Sequence, residues 1–258
     1  EEQEVSTEYS DILIAKSFEN IAIFELQKKL TNFTIDQIRW NSTLANSYIT
    51  NLLKKSFKYE TDATHTRYFV ERSTWSLKTL SKNTRARYKR SINQLNKIGA
   101  SFHWVEPKAY DKYITSLIKY HQKRWNDKNK EGAFSHDNFN NFHEKYRQQS
   151  AIKISAITVN DIPIAINYYI ADNNTLYFYQ SGWDSEHYAS FSLGLSLHLW
   201  SIEHCPSDYY DFMMGDSQDS YKTKFGVQQQ AMLNINVAIN QKKLLIHKLL
   251  SNFIFSSK

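Results

Sequence analysis

The sequence predicts a mixed α/β (α+β) fold, a mixed sheet flanked by helices, on three observations. Short apolar runs at 152–159, 162–171 and 175–180 are separated by polar turns at Asn160-Asp161 and 172–174, the pattern of an antiparallel meander. Two longer stretches, 74–98 and 110–125, carry apolar residues at helical spacing. Gly194 opens a further apolar run, 193–204, long enough for a buried helix. A strand, a loop and a helix at the centre of a mixed sheet form an architecture that grips phosphate at the helix N-terminus.

The elements follow in order. Residues 11–18 read as a short apolar strand and 19–30 as a helix whose apolar side holds Ile21, Phe24 and Leu26. A second helix is expected over 42–57, with Ser42 as N-cap and Leu44, Tyr48, Leu52 and Lys55 at spacings of three and four. Residues 66–70 suit a strand. The stretch 74–98 reads as one long helix through Leu77, Leu80, Tyr88, Ile92, Leu95 and Ile98, stopped by Gly99. A strand at 100–105 precedes a helix at 110–125 built on Tyr113, Leu117, His121 and Trp125. Residues 128–138 read as a mobile loop and 139–149 as a helix leading into the meander. After the buried helix come a strand at 209–213, a short helix at 219–225, one or two strands over 227–239 and an amphipathic helix at 242–255.

Composition removes several classes. The 258 residues are 41% hydrophobic and 15% aromatic, enough to build a core and too much for a disordered chain. With 6 Gly and 3 Pro, collagenous and linker sequences are excluded as well. One cysteine, Cys205, leaves no disulfide framework or thiolate zinc cluster and fits a reducing cytoplasm. No apolar run has the length of a membrane span, and the acidic start, Glu1 to Tyr9, lacks a signal-peptide pattern. The net charge of +6 is unevenly placed: residues 72–130 carry +12 and the rest carries −6. Lys78, Lys82, Arg85 and Lys89 form one stripe of the basic helix, with Arg87 and Arg90 off it. The stripe reads as a solvated face, as a docking surface for an anionic acceptor such as a nucleotide sugar, a phosphorylated lipid carrier or an aminoacyl-tRNA, or as a sequence-independent nucleic-acid contact. No base reader accompanies it, so specific DNA binding is not expected.

Three blocks carry a family resemblance. They are Arg85-Ala-Arg-Tyr-Lys-Arg90 with Leu95 and Gly99; Leu117 with His121-Gln-Lys-Arg124-Trp125, followed by Gly132 and Phe134; and a C-terminal series from Asp161 to Ile166 through Tyr179 to Tyr188, Ser192-Leu-Gly194, Tyr210-Asp-Phe212, Gly215 and Tyr221-Lys222-x-x-Phe225. In this order they resemble GNAT-superfamily acyltransferases of the CelD type, found in cellulose and exopolysaccharide operons and related to the FemABX aminoacyltransferases. The likeness runs over about residues 75–226 and implies a GNAT-like fold, with a partial N-terminal lobe over 1–100 and a complete lobe over 101–258. It also implies acyl transfer from acetyl-CoA or another acyl-CoA to an amine by direct attack in a cleft where the sheet splays.

Such a reaction needs an anion cradle, a base and an acid. Backbone N–H groups of Leu193, Gly194 and Leu195, with the Ser192 hydroxyl, are expected to face the CoA phosphates. The base is Asp211 or Asp216. Tyr221 is the expected acid for the thiolate, and Lys222, His121, Arg124 and Arg85 are expected to meet the acceptor. Metal ligands are not expected, since His198, His204 and Cys205 lack a complementary pair and there is no H-E-x-x-H. Walker, GxGxxG and G-x-S-x-G signatures are also missing. The expected reaction is N-acylation of a small-molecule or carrier-linked amine, on a sugar or other cell-envelope precursor, in the cytoplasm or at the inner face of the membrane. Fem-like aminoacyl transfer and a non-catalytic binder of an anionic polymer are the alternatives. The last helix is expected to dock on its own domain or on a second subunit, giving a homodimer, with an anionic membrane surface as the other reading.

Overall fold

The computed structural model describes residues 8–32, 35–148, 151–216, 220–240 and 243. Its mixed sheet and flanking helices are those of the expected class. The chain divides into two compact units, one of residues 67–215 and 219–229, the other of 7–66, 216–218 and 230–258. The expected helix at 242–255 lies outside the described residues except for Lys243.

The smaller unit holds α1 (Glu19–Asn32), β1 (Gln37–Leu44), α2 (Tyr48–Ser56), the first part of β2 (Glu60–Glu71) and most of β8 (Gln228–Ala238). β1 and β8 pair antiparallel, and Ile49, Leu52 and Leu53 of α2 close a core with Leu233, Ile235 and Val237. Two expectations fail here. Residues 11–18 form no strand, because the Asp11 carboxylate is spent on the first turn of α2, accepting from Tyr48 N at 3.0 Å and Ile49 N at 2.8 Å. Ser42 caps no helix: it sits at φ +55° where β1 slips register, and Ser47 takes the capping role by accepting from Thr50 N at 3.1 Å.

In the larger unit the remainder of β2 is followed by α3 (Lys82–Lys97), β3 (Ser101–Trp104), α4 (Tyr110–Asn126), α5 (Asp137–Arg147), β4 (Ile152–Val159), β5 (Ile162–Ala171), β6 (Thr175–Trp183), α6 (Leu193–Glu203) and β7 (Tyr209–Asp216). Strand order is β2-β7-β6-β5-β4-β3. The β3–β4, β4–β5 and β5–β6 pairs are antiparallel, whereas β6 and β7 run parallel. α3 starts eight residues later than its apolar spacing suggests. Ser81 caps it, and the residues before it make a single 3₁₀ turn at Leu77–Thr79. Its end is as expected. Gly99 at φ +69° allows Gly99 N to reach Asn96 O and Ala100 N to reach Leu95 O, the double bond of a Schellman stop. The short segment 219–225 is likewise 3₁₀, at Tyr221–Phe225. The expected loop at 128–138 contains a 3₁₀ turn, Ala133–Ser135.

Alternation along β4 and β5 sends side chains to two faces. Ile154, Ala156, Ile166 and Tyr168 pack with Tyr113 and Leu117 of α4, while Ile157 and Ala165 pack with Leu193 and Leu197 of α6 and Leu95 of α3. α6 is apolar around most of its circumference because it is buried around most of it. α4 comes unusually close to the sheet at Gly182, where a Cβ would stand 2.7 Å from Leu117 O and 3.2 Å from His121 N. A methyl group there meets backbone, which cannot swing aside. Gly182→Ala is therefore expected to lower stability by about 1–3 kcal/mol, read as a lowered urea midpoint. An unchanged midpoint would show that α4 does not rest on this glycine.

Candidate active site

β6 and β7 pair only from Thr175–Tyr177 to Tyr209–Asp211, although they continue to Trp183 and Asp216. Beyond Tyr177 and Asp211 the sheet parts. The parting coincides with a break in β7: Met213 has φ +61°, a left-handed conformation that a methionine adopts at a cost. Three side chains hold it. Asp211 is wholly buried, its Oδ1 accepting from Met213 N at 2.6 Å and its Oδ2 paired with Arg67 Nε at 2.7 Å. Lys222, also buried, donates from Nζ to Phe212 O at 2.7 Å, Met214 O at 2.6 Å and Met213 O at 3.4 Å.

These contacts correct two expectations. Asp211 is not a free base, because its carboxylate is shared between a guanidinium and a backbone N–H that both favour its charged form. Lys222 does not face an acceptor, because its ammonium closes on the carbonyls of the bend. Both residues build the cleft. Asp216 ends β7, and its side chain lies outside the described residues.

The expected anion cradle stands beside the parted strands. Ser192, at φ +51°, turns the chain from a 3₁₀ segment into α6, whose first intrahelical bond is Ser196 N to Ser192 O at 3.0 Å. The N–H groups of Leu193, Gly194 and Leu195 therefore have no carbonyl of their own helix to reach, and the positive end of the helix dipole lies behind them. α3 adds a cation. Arg87 Nε donates to Ser192 Oγ at 2.8 Å, and one turn on, Ser91 is bonded to Phe191 O and to Ser196 Oγ, which fixes α3 against this helix end. Arg85, the expected contact, instead folds back on Lys78 O at 3.2 Å and on Leu80 O, bracing the turn before α3. Arg87 is the residue that sequence reasoning missed. It lies off the basic stripe and, while exposed to solvent, reaches the start of α6 through Ser192.

α4 supplies the opposite wall. The Arg124 guanidinium lies 4.6 Å over the Trp183 ring, and that ring lies 3.4 Å from where a Cβ on Gly194 would stand. Arg124, Trp183 and the start of α6 are thus neighbours. Arg124 Nε, His121 Nδ1 and Gln122 Oε1 are buried polar atoms without a hydrogen-bond partner among the described residues, three within four residues of one helix. His121 Nε2 accepts from Trp125 Nε1 at 3.0 Å. Burial, with Arg124 adding to it, pushes His121 down to about 4, although the Gln122 and Gln180 amides come close enough to favour its charged form without aligning as hydrogen bonds. Tyr221, half exposed, is pushed up to about 12 by desolvation, while the nearby Arg124 guanidinium pulls the other way. Of the expected residues, Ser192 to Leu195 and Arg124 with its neighbours His121 and Tyr221 belong to this region. Asp211 and Lys222 frame it. Among the described residues no cluster of His, Cys, Asp or Glu has the spacing of a metal site.

A sheet that parts beside a helix N-terminus offers a candidate anion site. A family model described as an acetyltransferase (GNAT) domain matches residues 82–223, more than half of the chain, and the chain belongs to that family of acyltransferases. Its fold is also that of solved structures. FemX aligns with a TM-score of 0.62 at 9% identity, over 88% of this chain and 78% of its own. L-PGS from Bacillus licheniformis aligns at 0.58 and 12% identity, over 90% and 76%. The C-terminal domain assigned to a lysylphosphatidylglycerol synthetase of Agrobacterium fabrum aligns at 0.59 and 10%, over 86% and 74%. At these identities the likeness is one of fold alone. A comparison with curated proteins finds no match.

Two outcomes follow from the buried groups. Lys222→Met would leave the carbonyls of the bend unpaired and Asp211→Asn would leave Arg67 half-buried beside a neutral group, so each should lower stability by about 3–5 kcal/mol, seen as a lowered melting temperature. Full stability with lost activity would instead return these residues to a chemical role. Burial also holds His143 down at about 4 and His198 at about 3. These rings and His121 stay neutral in the fold yet take a proton in the unfolded chain below about 6.5, so the unfolded state binds more protons there and stability falls as pH drops from about 6.5 toward 4. The expected loss is roughly 1–2 kcal/mol per histidine at pH 5, with a shallower slope in His121→Gln. Equal urea midpoints at pH 7 and pH 5 would contradict it.

Proposed function

We propose that this protein is an acyl-CoA-dependent N-acyltransferase of the CelD type, moving an acetyl or other acyl group to an amine on a sugar or other cell-envelope precursor. The observation that carries the reading is the start of α6, where three backbone N–H groups without a backbone partner among the described residues and the Arg87 guanidinium meet near the parted end of β6. That donor set suits a pyrophosphate: fixed N–H groups, a helix dipole and a cation in one place. Leu193, Gly194, Leu195, Ser192 and Arg87 would hold it. When bound, acyl-CoA supplies a thioester carbonyl, the electrophile for the amine.

The chain's own groups support the transfer. Tyr221, a phenol that keeps its proton at neutral pH, is placed beside Arg124 and is the proposed donor to the leaving thiolate. Arg124, flat on Trp183 and with Nε free, offers positive charge to the developing oxyanion or to an anionic acceptor. The exposed Lys78, Lys82 and Lys89 remain available to an anionic partner. Among the described residues no helix is long and apolar enough to cross a membrane.

A second reading, Fem-like transfer from an aminoacyl-tRNA, is favoured by the likeness of fold to FemX together with the +12 segment at residues 72–130. Calorimetry separates the two. Acetyl-CoA or CoA should bind, Gly194→Trp should abolish the heat, and Arg87→Ala should weaken binding about tenfold, the loss of one charge-assisted bond. Silence at millimolar ligand, with charged tRNA binding that falls steeply with salt, would favour the second reading. Tyr221→Phe should lower kcat about 10² to 10⁴-fold with little change in KM. A non-catalytic binder would be indifferent to that change.

A further inference from the structure

The smaller unit carries a hollow that the reading above leaves unused. Alternation along β1 and β8 sends Ile38, Trp40, Leu233, Ile235 and Val237 toward the core of that unit, so Arg39, Asn41, Asn234 and Asn236 stand on the other face of the sheet. β8 lies between β1 and β2, which sets the backbones of those two strands about 10 Å apart. The space across β8 is a hollow of about 300 Å³, with Arg39 and Asn41 on one side, Asn234 and Asn236 as its floor, and Glu60 and Asp62 on the other side.

The floor is fixed and the walls are uncommitted. Asn234 Oδ1 accepts from Ser42 N at 3.0 Å, which holds the bulge of β1, and Asn236 Oδ1 accepts from Gln37 Nε2. Both carbonyl oxygens are thereby engaged, while the Nδ2 hydrogens of both amides remain as donors. The side chains of Arg39, Glu60 and Asp62 are exposed, and none has a hydrogen bond or an ion pair among the described residues, not even with one another. One guanidinium and two carboxylates thus share a hollow without touching, held apart by the width of a strand. A simple cation placed there meets Arg39 as well as the carboxylates, and a simple anion meets the carboxylates as well as Arg39. A ligand that carries both signs answers both walls, and two carboxylates against one guanidinium set its ratio at two positive groups to one negative.

We propose that this hollow binds a free diamino monocarboxylic acid, an amino acid of the ornithine type. Arg39 takes the carboxylate in a forked pair, with the Asn236 amide, directly across the strand pair from Arg39, as a further donor. Glu60 and Asp62 each take one ammonium. The amides of the floor are already held by β1, so binding orders the three charged side chains and little else. The hollow shares no residue with the acyl-transfer cleft, and the inference does not rest on the acyl-CoA reading.

The test is calorimetry on the full chain with L-ornithine as probe. Three analogues each lack one charged group: putrescine the carboxylate, δ-aminovalerate the α-ammonium and norvaline the side-chain ammonium. Ornithine should bind, and each analogue should bind about fivefold more weakly, the loss of one exposed charge pair. Arg39→Gln should weaken ornithine by about the same factor while leaving putrescine unchanged, which ties the guanidinium to the carboxylate. Glu60→Gln and Asp62→Asn should each weaken ornithine similarly, and all three exposed substitutions should keep the melting temperature, so that lost binding is not lost fold. No heat with ornithine at millimolar concentration, putrescine or norvaline binding as well as ornithine, or ornithine binding indifferent to Arg39→Gln would overturn the proposal. Binding of cellobiose without binding of ornithine would overturn it too, and would make the hollow a site for a neutral sugar.

Discussion

The site depends on one break in one strand. β7 leaves β6 where Met213 turns left-handed, and the turn persists because Asp211, Arg67 and Lys222 over-determine it. Without the break the parallel pair would continue to zip toward Trp183 and Asp216, and a sheet that is closed has no space for a ligand between its strands. The start of α6 then lies beside an opening instead of beside a paired edge, which is what turns an ordinary helix N-terminus into a candidate anion site.

The second constraint acts from the other face. Gly182 lets the backbone of α4 rest against β6, and that approach sets where His121, Gln122 and Arg124 end up. The result is a wall with three buried polar atoms left unpartnered, next to an aromatic cluster of Phe134, Phe139, His143 and Tyr179. Native interiors rarely leave such atoms idle, so their concentration along one helix marks where the fold has reserved hydrogen-bonding capacity.

Much of the larger unit was legible because its signals are local. The polar turns at Asn160-Asp161 and Asp172–Asn174 fix the ends of β4, β5 and β6, and Gly99 fixes the end of α3. The N-terminal region was not legible, because what shapes it is distant: Asp11 acts on Tyr48 and Ile49, up to 38 positions away. The start of α3 was misjudged for a related reason. Leu77 and Leu80 keep helical spacing, yet Ser81 is a better cap and Leu80 is drawn into the core below the sheet. Among the expected site residues, Ser192 to Leu195, His121, Arg124 and Tyr221 come from the family blocks, and the fold brings them to the region where β6 and β7 part. Arg87 was not legible, since the partner that gives it meaning lies 105 positions on. Asp211 and Lys222 were readable as important but not as structural, because a sequence does not reveal that a carboxylate is buried against a guanidinium.

The Lys222 clamp has a bearing on how this protein would behave under mutagenesis. A screen scored on lost activity would return Asp211 and Lys222 early, beside Tyr221, and the three would look alike. They differ in kind: two hold the bend of β7, and Tyr221 is the proton donor of the proposed reaction. Because the aperture is assembled when the chain folds, a ligand arriving at it has no strands to separate, and damage to the clamp surfaces as a protein that folds badly long before it surfaces as an enzyme that turns over slowly.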